Sequence, residues 1–149
     1  MVRAFSAGGV VFRRQLSTSG MPTVAEVVLV GRAWESFWVL PKGTPRPGEA
    51  TADVALREVA EETGITARIV TELRSIHYWF ARGGMRYNKE VLYYLMEAAG
   101  GDVSLHDHEY EDSCWFSLPD ALQLLTYPNE ADILRLAAKK LDADGATAP

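Results

Sequence analysis

The chain has 149 residues, of which 48% are hydrophobic and 23% charged, values that predict one soluble globular domain with a sizeable core. A net charge of −5 argues against general binding to nucleic acids or anionic membranes, and no apolar run is long enough to span a bilayer. The first residues lack the pattern of a secretory signal, which favours a cytoplasmic location. We expect a small-molecule ligand and a monomer or homodimer.

The first part of the chain alternates strand signals with Gly- and Pro-rich segments. Residues 5–14 and 24–32 are rich in valine and predict the two strands of a hairpin. The Ser- and Thr-rich segment 15–23 between them predicts a loop. A short aromatic stretch, residues 35–41, stops at a proline and is followed by the Pro- and Gly-rich loop 42–48. These signals predict a small set of strands leading into one rigid loop.

A helix and a second group of strands follow this loop. A helix is predicted from Thr51 to Thr63, with Gly64 as its left-handed cap. The later predicted elements are strands over 65–81 and 88–98 joined by a Gly-Gly turn, an acidic loop over 100–113, a short strand over 114–118, and helices over 119–125 and 129–141. Residues 1–141 are expected to form the domain and 142–149 a disordered tail.

Three glutamates lie on one turn of the predicted helix. At 100° per residue, Glu58 and Glu62 lie within about 40° of each other, and Glu61 lies about 60° away on the other side of Glu58. Like charges at this spacing repel, and a divalent cation would remove that repulsion. Mg²⁺ and Mn²⁺ prefer such oxygen ligands. Alternatively, the turn is a solvated face on which Arg57 pairs with Glu61.

The loop before the helix has the residues of a phosphate-binding segment. Gly43 and Gly48 allow the backbone to approach a ligand closely, and three prolines stiffen the path. Lys42 and Arg46 are candidates to contact phosphate oxygens, although either could be an ordinary surface charge.

Loop and helix together match a known pattern. The matching residues are Gly43, Glu49, Arg57, Glu58, Val59, Glu61, Glu62, Gly64 and Ile65. This spacing resembles the complete Nudix box, and the chain is identified as a member of the Nudix hydrolase family. The resemblance implies an α/β (α+β) fold, an α/β/α sandwich with a mixed sheet. It also implies hydrolysis of a nucleoside diphosphate linked to another moiety, with Mg²⁺ or Mn²⁺ as cofactor.

The same resemblance implies roles for single residues. Glu58 and Glu62 become metal ligands, Glu61 a ligand or general base, and a backbone carbonyl near Gly43 a further ligand. Arg57 would orient the glutamates through charge-assisted hydrogen bonds.

The acidic loop offers two further carboxylates. Family members differ in which carboxylate takes the proton of the attacking water, and some use one from a later loop. Glu109 and Glu111 are therefore candidates for an extra base or ligand, the alternative being a solvated loop.

The substrate is indicated less sharply than the reaction. The "PKG" loop and residues 89–98 and 115–125 resemble diadenosine polyphosphate hydrolases, which suggests a dinucleoside polyphosphate such as diadenosine tetra- or hexaphosphate. The alternatives are nucleoside triphosphates, including oxidised ones, ADP-ribose and diphosphoinositol polyphosphates. A nucleotide-sensing module without catalysis is a further alternative, but it predicts a damaged box.

Residues of the long hairpin are candidates to bind this substrate. Tyr78, Phe80 and Tyr87 could stack on an adenine ring, although aromatic side chains on strands often serve the core. Arg86 and Lys89 could reach terminal phosphates, the alternative being ordinary surface charge. Trp34, Phe37 and Trp38, by contrast, are assigned to the core.

Overall fold

The computed structural model describes residues 1–14 and 24–146, without the side chains of 143–146, so the predicted loop 15–23 lies outside the described residues. The strands are β1 (Val2–Arg14), β2 (Ala25–Arg32), β3 (Phe37–Val39), β4 (Lys42–Gly43), β5 (Ile65–Arg82), β6 (Met85–Gly101) and β7 (Asp112–Ser117). The helices are α1 (Thr51–Thr63), α2 (Leu118–Leu124) and α3 (Pro128–Ala146), with short 3₁₀ turns at Ala33–Glu35 and Val103–Leu105.

The strands form one mixed sheet. Its order is β3-β2-β1-β6-β5, with β7 paired to β2 and β4 paired to β1. Strands β1 and β6 run parallel, whereas the other pairs are antiparallel. The hairpin of β5 and β6 turns at Gly83 and Gly84, whose φ angles of 57° and 73° suit glycine. The predicted mixed sheet and its long hairpin are confirmed.

Helices cover both faces of the sheet. Helix α1 buries Val54, Ala55 and Val59 against the face that carries Val11 and Met96. On the opposite face, α2 and α3 pack against β2 and β6 through Ala121, Ile133, Leu134, Ala137 and Leu141. This α/β/α sandwich confirms the predicted fold. The apolar residues at helical spacing are buried against the sheet, with helices on each of its two faces. None of the described helices is long and apolar enough to cross a membrane.

The end of helix α1 is fixed by several hydrogen bonds. Gly64 has φ 82° and donates its N–H to the carbonyl of Ala60 at 2.9 Å, as predicted for a left-handed cap. The buried hydroxyl of Ser113 on β7 donates to the carbonyl of Thr63 at 2.9 Å. The last turn of α1, which carries the glutamates, is thereby held against the sheet.

Two predictions about the fold differ from the structure. Helix α3 continues to Ala146, beyond the predicted boundary at residue 141, and residues 147–149 of the predicted tail lie outside the described part. The division into a domain and a tail stays a prediction. The assignment of Trp34 to the core is wrong, since its side chain is 72% exposed. Trp34 lies in the 3₁₀ turn after β2, where the chain leaves the sheet.

Truncating a buried leucine of α3 tests the packing of this layer. Leu134 is fully buried, so Leu134→Ala should lower the free energy of unfolding by about 2–5 kcal/mol in urea titrations. Leu105→Ala is the matched control, because Leu105 is 69% exposed and its truncation should cost less than about 1 kcal/mol. Equal losses in the two variants would contradict the assigned core.

Candidate active site

The carboxylate of Glu62 is buried at the centre of the site. Glu62 is only 1% exposed, and its Oε1 accepts a hydrogen bond from the backbone N–H of Lys42 at 3.1 Å. Burial raises the pKa of Glu62 to about 9, and the neighbouring charge of Glu109 adds to this effect. A carboxylate in such surroundings is stabilised by any positive charge placed beside it.

Arg57 connects helix α1 to the loop before it. Its Nε donates to Glu49 Oε2 at 2.7 Å, and its Nη2 donates to Glu49 Oε1 at 2.9 Å, a two-pronged contact. Nη2 also donates to the carbonyl of Thr44 at 3.0 Å. Hydrogen bonding from Arg57 lowers the pKa of Glu49 to about 2. The Pro- and Gly-rich loop is therefore fixed relative to the glutamate turn.

Arginines also hold the other two glutamates of the turn. Arg57 Nη1 lies 2.6 Å from Glu58 Oε1 and 3.3 Å from Glu61 Oε2, and Arg46 Nη2 lies 3.2 Å from Glu61 Oε1. Burial raises the pKa of Glu58, although Arg57 opposes that shift. In the described part of the chain, no three His, Cys, Asp or Glu side chains are grouped so that they could hold a metal ion in this arrangement.

Gly43 leaves room for the Glu58 side chain. The short strand β4 pairs with β1 through Ala7 opposite Gly43 and Gly8 opposite Lys42. A Cβ atom added at Gly43 would overlap the Glu58 carboxylate. The structure thus brings together Gly43, Glu58 and Glu62, as the sequence predicted, while their roles as ligands stay predictions.

The acidic loop places its two candidate carboxylates differently. The N–H of Asp107 donates to the carbonyl of Glu61 at 2.8 Å, which fixes the loop to the end of α1. Glu109 lies beside Glu62 and is hydrogen-bonded to it, and this contact raises the pKa of Glu62 further. Glu111 instead accepts a hydrogen bond from Trp34 Nε1 at 2.9 Å. Only Glu109 of this pair lies against the Glu62 carboxylate.

A pocket of about 500 Å³ opens next to this acidic centre. Its walls are formed by Phe37, Val39, Lys42, Tyr78, Tyr110, Tyr127, Asn129 and Glu130. Lys42 belongs both to this pocket and, through its N–H, to the Glu62 contact. Sequence reasoning selected Tyr78 and Lys42 but missed Tyr110, Tyr127 and Glu130, which come from the acidic loop and the start of α3.

The hairpin divides the remaining candidates between two faces of the sheet. Phe80 lies on the same face as Tyr78, with ring centroids 6.2 Å apart. Arg86 lies on the opposite face, where its guanidinium is 4.6 Å from the ring centroid of Trp79. The structure therefore does not bring Arg86 together with the other candidates.

Lys89 is a further cation near the pocket. It is opposite Tyr78 in the β5–β6 pairing, and its Nζ donates to Ser6 Oγ at 2.6 Å. Burial lowers the pKa of Lys89, and the nearby charge of Lys42 adds to this. Two lysines therefore converge beside the acidic centre. Their proximity could not be read from positions 42 and 89 of the sequence alone.

The architecture and the site define the class of protein. An α/β/α sandwich with a glutamate turn held behind a Pro- and Gly-rich loop is the arrangement of a Nudix-type protein. The NUDIX domain model matches residues 4–137, and the chain belongs to this family.

Similar proteins cover the chain to different extents. MutT4 of Mycobacterium tuberculosis is 35% identical over 99% of this chain, and an 8-oxo-(d)GTP phosphatase of Mycolicibacterium smegmatis is 34% identical over 90% of it. Both are longer proteins, of which this chain spans 60% and 41%. An asymmetrical bis(5′-nucleosyl)-tetraphosphatase of Sus scrofa is 30% identical over 87% of this chain and 90% of its own length. A crystal structure of a Caenorhabditis elegans Ap4A hydrolase binary complex superimposes with TM-score 0.72 and 26% identity, covering 94% and 98% of the two chains.

Glu130 is a second buried acid, located in the pocket wall. Its Oε1 accepts a hydrogen bond from the N–H of Leu40 at 2.7 Å. Burial raises the pKa of Glu130 to about 7, although the Leu40 hydrogen bond and the charge of Lys42 oppose the shift. Glu130 thus connects the start of α3 to the segment that enters the Pro- and Gly-rich loop.

The raised pKa of Glu130 predicts a pH dependence of stability. Between pH 4.5 and about pH 7 the folded carboxyl keeps a proton that the unfolded chain has released, so its contribution to the free energy of unfolding falls as pH rises. Glu130→Gln removes this loss, and the stability of the variant relative to the wild type should increase by about 3 kcal/mol from pH 4 to pH 8. Urea titrations at several pH values measure the difference in the free energy of unfolding between variant and wild type. Any pH dependence due to Glu62 is the same in both proteins and cancels in this difference. A difference independent of pH would contradict the assignment.

Proposed function

We propose that this chain hydrolyses a pyrophosphate bond in nucleoside diphosphate derivatives and depends on a divalent cation. The observation that carries the proposal is the buried Glu62 carboxylate, fixed by the N–H of Lys42, with Glu109 against it. Keeping the buried Glu62 carboxylate ionised is costly unless a cation neutralises it. The complete motif around it and the family membership support the same reaction. A cytoplasmic monomer or homodimer remains part of this proposal.

The donor atoms around Glu62 fit Mg²⁺ or Mn²⁺. Glu58 and Glu62 would hold the cation, with Glu61 and the carbonyl of Gly43 as further oxygen donors. The space that a Cβ at Gly43 would fill keeps Glu58 next to this backbone. Before Glu58 and Glu61 can bind the cation, both must release Arg57, and Glu61 must also release Arg46. These arginines lie within 3.3 Å of the two carboxylates. A bound cation would neutralise phosphate oxygens and lower the pKa of an attacking water.

Protein residues would perform the proton transfer and the orientation. Glu109 is our first candidate for the general base, because it lies beside Glu62. Glu58 and Glu61, by contrast, are paired with Arg57. Glu61 is the alternative. Arg57 would act by orienting the turn, since its contacts to Glu49 and the Thr44 carbonyl fix the helix to the loop.

A dinucleoside polyphosphate is our first choice of substrate. The pocket offers the rings of Tyr78, Tyr110 and Tyr127 to a base. Lys42 lies in the pocket wall and Lys89 lies near Lys42, so both can contact a phosphate chain, and the exposed Arg46 can supply a further contact. The similarity to the Sus scrofa tetraphosphatase and to the Ap4A hydrolase complex supports this choice.

An oxidised nucleoside triphosphate is the second candidate. The mycobacterial relative named as an 8-oxo-(d)GTP phosphatase supports it. Asn129 and Glu130 in the pocket wall can exchange hydrogen bonds with the edge of a purine.

A substrate panel separates these candidates. Purified protein with Mg²⁺ or Mn²⁺ would be incubated with diadenosine tetraphosphate, 8-oxo-dGTP, dGTP, ADP-ribose and a diphosphoinositol polyphosphate, and the products quantified by chromatography. Release of ATP and AMP from diadenosine tetraphosphate, at the highest kcat/KM of the panel, is expected. A preference for 8-oxo-dGTP would establish the second candidate. Nucleotide binding without turnover of any compound would identify a sensor and refute the enzymatic proposal.

Glu62→Gln tests the cation site directly. The amide keeps the shape and an acceptor for the Lys42 N–H but removes the negative charge, so kcat should fall by about 10³-fold or more. The melting temperature in the absence of metal should not fall, because the amide has nearly the shape of the carboxyl group and can still accept the Lys42 N–H. Glu72→Gln, an exposed change on β5, is the matched control and should retain activity. Near-normal activity of Glu62→Gln would refute the assignment.

Comparing the two loop acids tests the choice of base. Glu109→Gln should lower kcat by about 10²–10⁴-fold, because an amide cannot accept the proton of the attacking water. Glu111→Gln should lower kcat less than tenfold, since Glu111 is bound to Trp34 and separated from Glu62. If Glu111→Gln caused the larger loss, the loop arrangement described above would be wrong.

A further inference from the structure

A stripe of aromatic and basic side chains continues beyond the pocket along one face of the hairpin. Three cross-strand pairs form it: Tyr78 with Lys89, Phe80 with Tyr87, and Arg82 with Met85. Directly opposed residues of an antiparallel pair share one face, so these side chains lie side by side. The stripe begins at Tyr78 in the pocket wall and ends at the turn of the hairpin.

Phe80 and Tyr87 form a stacked pair outside the hydrophobic core. Their ring centroids are 4.8 Å apart and their planes differ by 2°. Tyr78 packs against the core cluster of the α3 face, whereas Phe80 and Tyr87 belong to neither core cluster of the described residues. Both rings are half-buried. Core packing therefore does not account for this pair, which offers a rigid aromatic surface to a ligand.

Positive charge lies at both ends of the pair. The guanidinium of Arg82 is 5.7 Å from the ring centroid of Phe80. Lys89 lies two residues from Tyr87 on the same strand, at a distance of about 7 Å along it. Acidic residues dominate the chain as a whole, so these cations are a local feature. An aromatic surface flanked by cations suits a nucleobase carried on a phosphate chain.

We propose that Phe80 and Tyr87 form a second nucleobase subsite, which binds the distal nucleoside of a dinucleoside polyphosphate. This inference rests on the proposed function. The first nucleoside occupies the pocket beside Tyr78, the phosphate chain passes Lys42 and Lys89, and the second base stacks on the Phe80–Tyr87 pair. A mononucleotide fills the pocket but leaves this pair uncovered, so the subsite selects for dinucleotides.

The test compares two substrates with the same number of phosphates. Diadenosine tetraphosphate carries the second nucleoside, and adenosine 5′-tetraphosphate lacks it. For Tyr87→Ala, the ratio of kcat/KM for the dinucleotide to kcat/KM for the mononucleotide should fall about tenfold, mainly through KM of the dinucleotide. Phe80→Ala should lower the ratio similarly. Tyr87→Phe keeps the ring and should keep the wild-type ratio.

Trp79→Ala is the control for truncating an aromatic residue on this hairpin. Trp79 is 50% exposed and lies on the opposite face of β5, so its truncation should leave the substrate ratio as in the wild type. Circular dichroism establishes that each variant is folded.

The outcomes distinguish this inference from the proposed function. If the wild type cleaves the dinucleotide and Tyr87→Ala keeps the wild-type ratio, the subsite is refuted while the proposed function stands. If Trp79→Ala lowers the ratio as much as Tyr87→Ala, the specific surface is likewise refuted. If the wild type cleaves adenosine 5′-tetraphosphate but no dinucleotide, the proposed substrate and the subsite both fail.

Discussion

The burial of the Glu62 carboxylate is the constraint around which the site is arranged. A buried acid needs hydrogen-bond donors, and Glu62 obtains one from the backbone N–H of Lys42. That N–H is available because β4 pairs with β1 and turns the Pro- and Gly-rich loop towards α1. Loop, sheet and helix therefore meet at one carboxylate. Glu109 lies against the same carboxylate, so two acidic side chains meet at this point.

Arginine contacts hold the glutamate turn together. Arg57 binds Glu49, Glu58 and Glu61 at once, and Arg46 binds Glu61 from the loop. These contacts reduce repulsion between neighbouring carboxylates, which are otherwise destabilising at this spacing. Because Glu49 alone takes two hydrogen bonds from Arg57, that residue can release Glu58 and Glu61 and still hold the loop. The two-pronged contact with Glu49 therefore keeps the loop attached to α1.

The sequence predicted those elements whose signals are local. Helix α1 was placed from Thr51 to Thr63, because its periodicity and its glycine cap lie within a few residues of each other. The part of the pocket wall that includes Glu130 was missed, because Glu130 meets Leu40 across 90 residues. No spacing along the chain encodes such contacts. The assignment of Trp34 to the core was wrong, because this residue lies on a turn at the surface, where the chain leaves the sheet.

Strands β3 and β5, which end the main strand order of the sheet, present different edges to other molecules. Thr126 covers β3, since its N–H and hydroxyl engage the carbonyl and the N–H of Trp38 at 3.0 and 2.9 Å. Strand β5, 18 residues long, ends the sheet on the other side with exposed Glu72 and Arg74 along it. Open strand edges are templates for self-association, which charged side chains oppose. Neutralising these charges would therefore favour intermolecular strand pairing at β5, and fibrous aggregation would begin at that edge rather than at β3.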